Sequence, residues 1–358
     1  MPDGSRIPLI DAVKALAAQL IVLHHLAWYG PMSDVAAAAS PLFGTWQSWL
    51  ADYGRYAVAA FFAVGGYLAA QALSPRGLPL DQSPFSMILQ RYLRLAGPYA
   101  VALLLAIVSA ALARQWMTHD SIGSPPDLWQ FFAHLLLLHD LLDFEALSAG
   151  VWYIAIDFQL YALLVVLLWV ARRLASADFP GPLLVLIVAL ASLFFFNQRD
   201  AWDATALYFF GAYALGVGSS WAVRSARPYR LLSLLALIGV TALWFDFRPR
   251  IAVALVVALT LGLAHLHLRT SVHNRGKVLA SLGRMSYALF LVHFPVCLLI
   301  SAAFHQLAPL DPYLNALGVL VAWVASNLAA LLFYHQVERR LSALWRVSRP
   351  KPQYLRVS

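Results

Sequence analysis

The sequence predicts an all-α membrane protein, a polytopic bundle of about ten transmembrane helices with both termini in the cytoplasm. Composition is the first reason. Of the 358 residues, 61% are hydrophobic and 12% are charged, whereas soluble domains have about 45–50% apolar and about 25% charged residues. The mean hydropathy is +0.71. The other two reasons are a series of apolar segments of membrane-spanning length and an uneven distribution of basic residues between them.

A helix that crosses the hydrocarbon core requires about 20 mostly apolar residues. Ten segments are predicted to cross, in chain order residues 10–29, 54–73, 95–113, 152–171, 182–197, 203–223, 231–246, 251–268, 285–306 and 313–337. The first is expected to be retained rather than cleaved as a signal peptide, because Gln19, His24 and His25 interrupt its apolar stretch. An eleventh candidate, 128–142, is short and polar.

The positive-inside rule decides whether 128–142 crosses. If it does not, and the N-terminus is cytoplasmic, 20 of the 25 basic residues lie on the cytoplasmic side. The exceptions are Arg55, Arg114, Arg199, Arg248 and Arg250. We therefore predict a long outer loop over 115–151 with a half-inserted or interfacial helix. Irregular backbone at membrane depth must face protein or water, so this loop is expected to form an outer vestibule.

One transmembrane domain is predicted over residues 1–338, followed by a basic cytoplasmic tail at 339–358 that contacts anionic lipid headgroups. The net charge of +8 is attributed to the cytoplasmic segments, so no nucleic-acid partner is expected. The only cysteine, Cys297, lies in an apolar run. No disulfide within the chain and no Cys-based metal site can form, and we expect no metal.

Ionisable residues inside membrane spans are costly and mark candidate sites. Lys14 and His25 are eleven positions apart on the first helix, which places them on one face about 16 Å apart. His24 is rotated by about 100° and is expected to point elsewhere. A buried structural histidine is the alternative for His25.

Two further candidates lie on the third and fourth predicted helices. Arg91 and Arg94 are three positions apart at the cytoplasmic end, which suits a phosphate clamp, although topology-setting charge is the alternative. Asp157 lies about one and a half turns from the outer end of its helix. We expect it to orient His25 or to share a cavity with it, as a carboxylate does beside a catalytic histidine, unless it only ties helices together.

In addition, five motifs in register resemble the membrane acyltransferase 3 family. They are Ile10–Ala17 with His25 downstream, Phe61–Leu68, Arg91–Arg94 with Pro98 downstream, Trp152–Tyr161, and Leu282–Pro295. The match runs in order from residue 10 to about residue 338, which is nearly the whole chain. Lys14, Gly65 and Asp157 stand where the family usually has arginine, serine and glutamate, and the closing motif is changed to Glu338-Arg339-Arg340.

The resemblance implies an enzyme of the bacterial inner (plasma) membrane that transfers an acyl group, most often acetyl, from cytosolic acyl-CoA to a sugar hydroxyl. The acceptor would be a surface or secreted glycan or its lipid-linked precursor. Acyl-CoA is then a co-substrate, and no bound cofactor is expected. Roles follow from the motifs: His25 and Asp157 in catalysis, and Lys14, Arg91 and Arg94 in acyl-CoA binding. Acceptor or pocket residues would be Tyr67, Trp152, Gln159, Tyr161, Ser286, Tyr287 and His293.

Three alternatives remain at this point. A transporter or flippase would also place charges within the membrane and would move its substrate without consuming acyl-CoA. A structural membrane subunit would be insensitive to replacement of His25. An acyltransferase acting on a cytosolic small molecule would receive its acceptor from the inner side.

Overall fold

The computed structural model describes residues 8–80, 82–174, 181–267 and 277–347. The predicted tail beyond residue 347 lies outside these ranges. Helices dominate the described residues. In chain order they are α1 Pro8–Trp28, α2 Pro31–Ala36, α3 Pro41–Tyr53, α4 Val58–Leu73, α5 Pro84–Trp116, α6 Leu128–Leu135, α7 Val151–Leu174, α8 Gly181–Phe194, α9 Ala206–Ala222, α10 Pro228–Phe245, α11 Pro249–His267, α12 Lys277–Leu307, α13 Pro312–Phe333 and α14 Arg339–Val347.

The prediction of a polytopic helical membrane bundle is confirmed. Within the described residues, nine helical segments are long and apolar enough to cross a membrane. The predicted span at 203–223 corresponds to α9, whose 17 residues are at the short end of the range of about 17–25 for a membrane helix. The predicted span at 95–113 is part of the 33-residue helix α5, which begins earlier than its apolar stretch.

Local sequence signals account for many of the helix starts. Proline occupies the first turn of eight of the described helices, where its missing N–H donor has no helical partner to lose. These helices are α1, α2, α3, α5, α8, α10, α11 and α13. Asp311 caps α13 by accepting hydrogen bonds from the backbone N–H groups of Tyr313 and Leu314. Such caps satisfy the donors that a helix leaves unpaired at its beginning.

The bundle has two packing centres. Helix α12 packs against α1, α5 and α13, while α9 packs against α4, α8 and α11. Both α5 and α12 contain an internal proline, Pro98 and Pro295 respectively. Helix α7 lies between the two centres and contacts α4, α5, α8 and α9. Helix α7 therefore connects the two packing centres.

The segment between α5 and α7 lies along α5 instead of crossing as a membrane-spanning helix. Its helix, α6, has eight residues, about 12 Å, too short to cross. Arg114 near the end of α5 donates to the Gly123 carbonyl, and the Tyr92 hydroxyl near its beginning donates to the Leu135 carbonyl at 3.0 Å. These two contact points are 22 positions apart, about 33 Å along the helix. The segment therefore folds back along α5 as far as its beginning, and the half-inserted or interfacial position of its helix stays a prediction.

The segment between α5 and α7 contains a pair of stacked histidines. The rings of His134 and His139 stack with centroids 4.1 Å apart, and His139 lies 3.5 Å from the carboxylate of Asp140. Burial lowers the pKa of His139 to about 3 and raises the pKa of Asp140 to about 6. The Leu147 backbone N–H donates to His134 Nε2, so the pair ties the segment to the residues that precede α7.

Helices α4 and α9 approach so closely that their backbones touch. A β-carbon at Gly216 would overlap the carbonyl of Ala63, and one at Gly66 would overlap the carbonyl of Tyr213. Small residues at helix crossings permit this packing within membranes. The α4–α9 contact therefore requires glycine at both positions.

Gly216→Ala is expected to destabilise the bundle, because the new methyl group meets backbone atoms that cannot move independently. Overpacking costs about 1–3 kcal/mol or more. Gly218→Ala on the same helix is the matched control, since its nearest neighbour is the terminal methyl of Leu235 at 3.0 Å. Thermal unfolding in detergent, followed by loss of the monodisperse chromatographic peak, measures both variants. Equal unfolding temperatures for the two would contradict the assigned contact.

Candidate active site

A charged cavity of about 780 Å³ lies at the end of the bundle where α1 begins. We call it the arginine cavity. Its ionisable lining residues comprise five cationic and three acidic groups. They are Lys14, Arg91, Arg94, Arg284 and Arg339, with Asp11, Asp157 and Glu338. The positive excess favours a polyanionic ligand.

The predicted donor-site residues do converge on this cavity, but Arg91 and Asp157 pair with each other. The Arg91 guanidinium donates to the Asp157 carboxylate at 2.5 Å, and the same guanidinium lies 5.2 Å from the centre of the Tyr161 ring. The prediction that Asp157 orients His25 is therefore not matched by the contacts. The prediction that Arg91 and Arg94 form a phosphate clamp stays a prediction, with the charge of Arg91 balanced by Asp157.

Lys14 and Arg94 approach a different carboxylate, Glu338, closely enough to interact with it electrostatically. Glu338 ends a π-helical turn, Tyr334–Glu338, that interrupts the last long helix. Such turns are rare and frequently occur at functional sites. Glu338 was noted in the sequence only as part of a changed closing motif, and its place in the cavity was missed.

A pair of histidines from distant parts of the chain lies next to Phe290, one of the residues that line the arginine cavity. His25 of α1 and His293 of α12 are both buried, and their rings are nearly parallel with centroids 4.9 Å apart. The His25 Nδ1 atom lies 2.6 Å from His293 Nε2. His293, predicted only as a pocket residue, is thus the direct partner of the predicted base.

The hydrogen bonds of a neutral pair assign the positions of the protons. His293 Nδ1 lies 3.0 Å from the Leu289 carbonyl, which can only accept, so this nitrogen carries the proton. His293 Nε2 is then an acceptor, and it receives the Nδ1–H of His25. His25 consequently keeps Nε2 as its basic nitrogen. The chain Leu289–His293–His25 fixes the tautomer of a base, the role often played by a carboxylate.

The neighbouring His24 has a different environment, as the helical rotation predicts. Its Nδ1 lies 3.0 Å from the Leu50 carbonyl of α3. The β-carbon of His24 also packs close to Gly54. His24 therefore joins α1 to the helix that follows it, and its contacts are those of a structural residue.

The histidine pair contacts aromatic residues that line the arginine cavity and aromatic residues that line a second one. A cavity of about 230 Å³, here the loop cavity, is lined mainly by the segment between α5 and α7. Tyr29 and Phe294 line it and contact the His25 ring edge-on, with centroids 5.4 Å and 6.5 Å away. Phe290 lines the arginine cavity, and its ring lies 6.1 Å from that of His293.

Gly150 lies directly beside His25 and Phe290. It has a φ of +84°, and a β-carbon there would lie 3.0 Å from the Phe290 ring and 3.5 Å from Cε1 of His25. A side chain at this position would be strained and would press on both rings. Glycine therefore allows the chain to enter α7 directly beside the imidazole of His25.

The remaining predicted pocket residues divide into two groups. Tyr161, Ser286 and Tyr287 line the arginine cavity. The other three have structural contacts. Trp152 packs against Phe62 and Phe209, and the Tyr67 hydroxyl lies 3.0 Å from Nδ1 of His265. The Gln159 side chain hydrogen-bonds to the backbone of Ala204 and Ala206. The assignment of these last three residues to a pocket stays a prediction, because packing contacts alone do not test it.

No group of three or more His, Cys, Asp or Glu side chains suited to a metal ion occurs among the described residues. The expectation of a metal-free site stays a prediction. The chemistry available from the observed side chains is proton transfer by a buried imidazole, next to a cationic cavity that suits an anionic ligand.

The fold and the site together define a multi-pass membrane protein with a buried histidine pair whose aromatic neighbours line two cavities. A family model described as an acyltransferase domain matches residues 7–335. The chain belongs to this family, the acyltransferase 3 family, and is a membrane acyltransferase. No curated protein and no solved structure matches the chain at a significant level.

Proposed function

We propose that this protein moves an acyl group, in the first place acetyl, from cytosolic acyl-CoA to a sugar hydroxyl presented on the opposite side of a bacterial inner membrane. The acceptor is a cell-surface or secreted glycan or its lipid-linked precursor. The observation that carries the proposal is the contact of the His25–His293 pair with aromatic rings that line the arginine cavity on one side and the loop cavity on the other.

The arginine cavity supports acyl-CoA as the donor. Its volume of about 780 Å³ is within the range of about 300–1,000 Å³ typical of small-molecule sites. Lys14, Arg94, Arg284 and Arg339 suit the phosphates of coenzyme A, since guanidinium groups bind phosphate with paired hydrogen bonds. The bias of basic residues supports a cytosolic position for this end of the bundle and for both termini.

The loop cavity supports a hydroxylated acceptor. Its lining includes the polar side chains of Arg114, Asp120, Ser121, Gln130 and Glu145. Carboxylates, amides and hydroxyls are the groups that exchange hydrogen bonds with sugar hydroxyls. In the proposed orientation this cavity faces away from the cytosol and corresponds to the predicted outer vestibule.

The proposed reaction is a direct transfer. Nε2 of His25 takes the proton of the acceptor hydroxyl as its oxygen attacks the thioester carbonyl carbon. The carbon–sulfur bond then breaks, the thiolate of coenzyme A leaves, and the proton on His25 passes to that thiolate. An ester and free coenzyme A result. His293 stabilises the imidazolium of His25 by accepting its Nδ1–H throughout.

Membranes that contain the protein are expected to transfer label from [acetyl-¹⁴C]acetyl-CoA to a glycan or lipid-linked saccharide fraction, and membranes without it are not. Mass spectrometry of the surface glycans should show ester groups that depend on the protein. Family membership already favours acyl transfer over the transporter and structural-subunit alternatives. If label appeared only in cytosolic small molecules, the acceptor would be such a molecule and not a glycan.

A further inference from the structure

The size of the loop cavity restricts what it can hold. Its volume is about 230 Å³, whereas sites that enclose drug-sized ligands have about 300–1,000 Å³. A single pyranose ring with its hydroxyls is of this size, and a second linked ring would have to lie outside. The cavity is therefore suited to one sugar unit of a glycan at a time.

One wall of the loop cavity lies next to the predicted base. Residues 148–149 line the cavity. The residue that follows, Gly150, passes His25 so closely that a β-carbon on it would lie 3.5 Å from the imidazole Cε1. The rings of Tyr29 and Phe294 also line the cavity and contact the His25 ring. These two rings offer apolar surface to the C–H face of a sugar ring.

A carboxylate oxygen on the opposite part of the lining is available to a ligand. Glu145 Oε2 accepts the Ser124 backbone N–H at 3.3 Å, and Glu145 Oε1 lies 2.8 Å from where a β-carbon on Gly123 would be. All three residues line the cavity. Oε1 accepts no hydrogen bond from the described residues. An ionised carboxylate only accepts hydrogen bonds, so Oε1 suits a hydroxyl or ammonium donor of a ligand.

The charged side chains that line the loop cavity carry a net negative charge. Among the described residues they are Arg114, Asp120 and Glu145. Arg114 donates to the Gly123 carbonyl at 2.7 Å, on the same residue that Glu145 approaches, so these opposite charges lie close together and the charge of Asp120 remains. The loop cavity thus differs in sign from the arginine cavity and disfavours an acidic ligand.

We propose that the loop cavity binds one neutral or amino sugar unit of the acceptor, and that Glu145 determines this specificity by accepting a hydrogen bond from the sugar through Oε1. This inference rests on the acyl-transfer function proposed above and adds to it the size and the charge of the acceptor unit. The hydroxyl that receives the acyl group is one that faces the wall beside His25.

Methyl glycosides that differ only in the exocyclic group test the preference for charge. The probes are the hydroxymethyl, aminomethyl and carboxylate forms in gluco, galacto and manno configuration, supplied with labelled acetyl-CoA to the protein in detergent. In the configuration that is acetylated, kcat/KM for ester formation should be at least 10-fold higher for the neutral and amino forms than for the carboxylate form. An equal or higher value for the carboxylate form would overturn the proposal.

Glu145→Gln removes the charge and keeps the shape, since the amide oxygen can still accept the Ser124 N–H. KM for the neutral glycoside should rise about 10-fold, because a bond to an ionised acceptor is roughly twice as strong as a neutral one. The preference over the carboxylate form should shrink, and KM for acetyl-CoA should not change. Asp127→Asn is the matched control, because it makes the same charge change in the same segment outside the cavity and still caps α6.

Gly123→Ala displaces the carboxylate without removing it. The new methyl group would lie 2.8 Å from Glu145 Oε1, so the flexible glutamate side chain must turn away. KM for the neutral glycoside should rise as in Glu145→Gln, although no charge is lost. Combining the two substitutions should add little to either alone, because both act on one contact. Fully additive effects would contradict the assigned role of Glu145.

The outcomes separate this inference from the proposed function. Label that enters longer oligosaccharides but no methyl glycoside, or wild-type acceptor kinetics in Glu145→Gln, overturns the sugar site while acyl transfer stands. A protein that forms no ester and releases no coenzyme A thiol with any sugar overturns both. Acetylated neutral glycosides, together with the expected responses of the Glu145 and Gly123 variants, support both.

Discussion

His25→Ala is expected to abolish acyl transfer while the protein remains folded and still binds acyl-CoA. The reason is geometric: His293 accepts the Nδ1–H of His25, which leaves His25 Nε2 as the base. Losing a general base typically reduces the rate about 10²–10⁴-fold. Release of the coenzyme A thiol in the presence of acceptor measures turnover, and thermal stabilisation by acyl-CoA measures binding.

His24→Ala is the matched control on the same helix. It removes a neighbouring buried imidazole whose partner is the Leu50 carbonyl, so it should lower thermal stability and leave turnover largely intact. His293→Phe should keep the stacked ring but remove the acceptor for His25, and turnover should fall even though His25 is present. If His25→Ala turned over near the wild-type rate, the mechanism would have to be abandoned.

The cations of the arginine cavity are expected to act in two different ways. Replacing Lys14 and Arg94 together by alanine should raise the dissociation constant for acyl-CoA by about two to four decades, because hydrogen bonds to charged groups contribute about 1.5–3 kcal/mol each. Isothermal titration in detergent with a non-reactive thioether analogue of acetyl-CoA measures this directly. Raising the salt concentration should reproduce part of the loss in wild-type protein.

Arg91→Ala should instead lower the free energy of unfolding, since it leaves the Asp157 carboxylate without its ion-pair partner. Breaking a largely buried pair in this way costs on the order of 3 kcal/mol. Arg91→Met combined with Asp157→Leu removes both charges and should recover much of the stability. An Arg91→Ala protein as stable as wild type but unable to bind acyl-CoA would restore the original assignment of Arg91 as a phosphate clamp.

Most of the fold could be predicted from the sequence, because membrane helices carry a strong apolar signal. The helix starts were less predictable where polar turns extend a span, as at the beginning of α5. Helix α3 was missed because its 13 residues are moderately apolar and too few to cross a membrane. The distribution of basic residues predicted that the segment between α5 and α7 does not cross the membrane. It did not predict the contact of this segment with Tyr92.

Residues of the site could be predicted only where their positions along a single helix determine the direction of their side chains. Rotation along α1 correctly distinguished His25 from His24. The pairing of His25 with His293 joins residues 268 positions apart, and no local pattern encodes it. Depth estimates placed Asp157 near His25, but a depth says nothing about lateral position, and the long side chain of Arg91 reaches Asp157 from α5.

The most direct test of the account uses proteoliposomes in which the protein has one orientation. Labelled acetyl-CoA is supplied on the side of the arginine cavity, and an impermeant sugar acceptor is trapped on the side of the loop cavity. We predict that labelled ester accumulates with the trapped acceptor, that one coenzyme A thiol is released per ester, and that His25→Ala stops both. Ester formation only when the acceptor is on the same side as acetyl-CoA, or acceptor movement without thiol release, would contradict transfer at a histidine pair between two cavities.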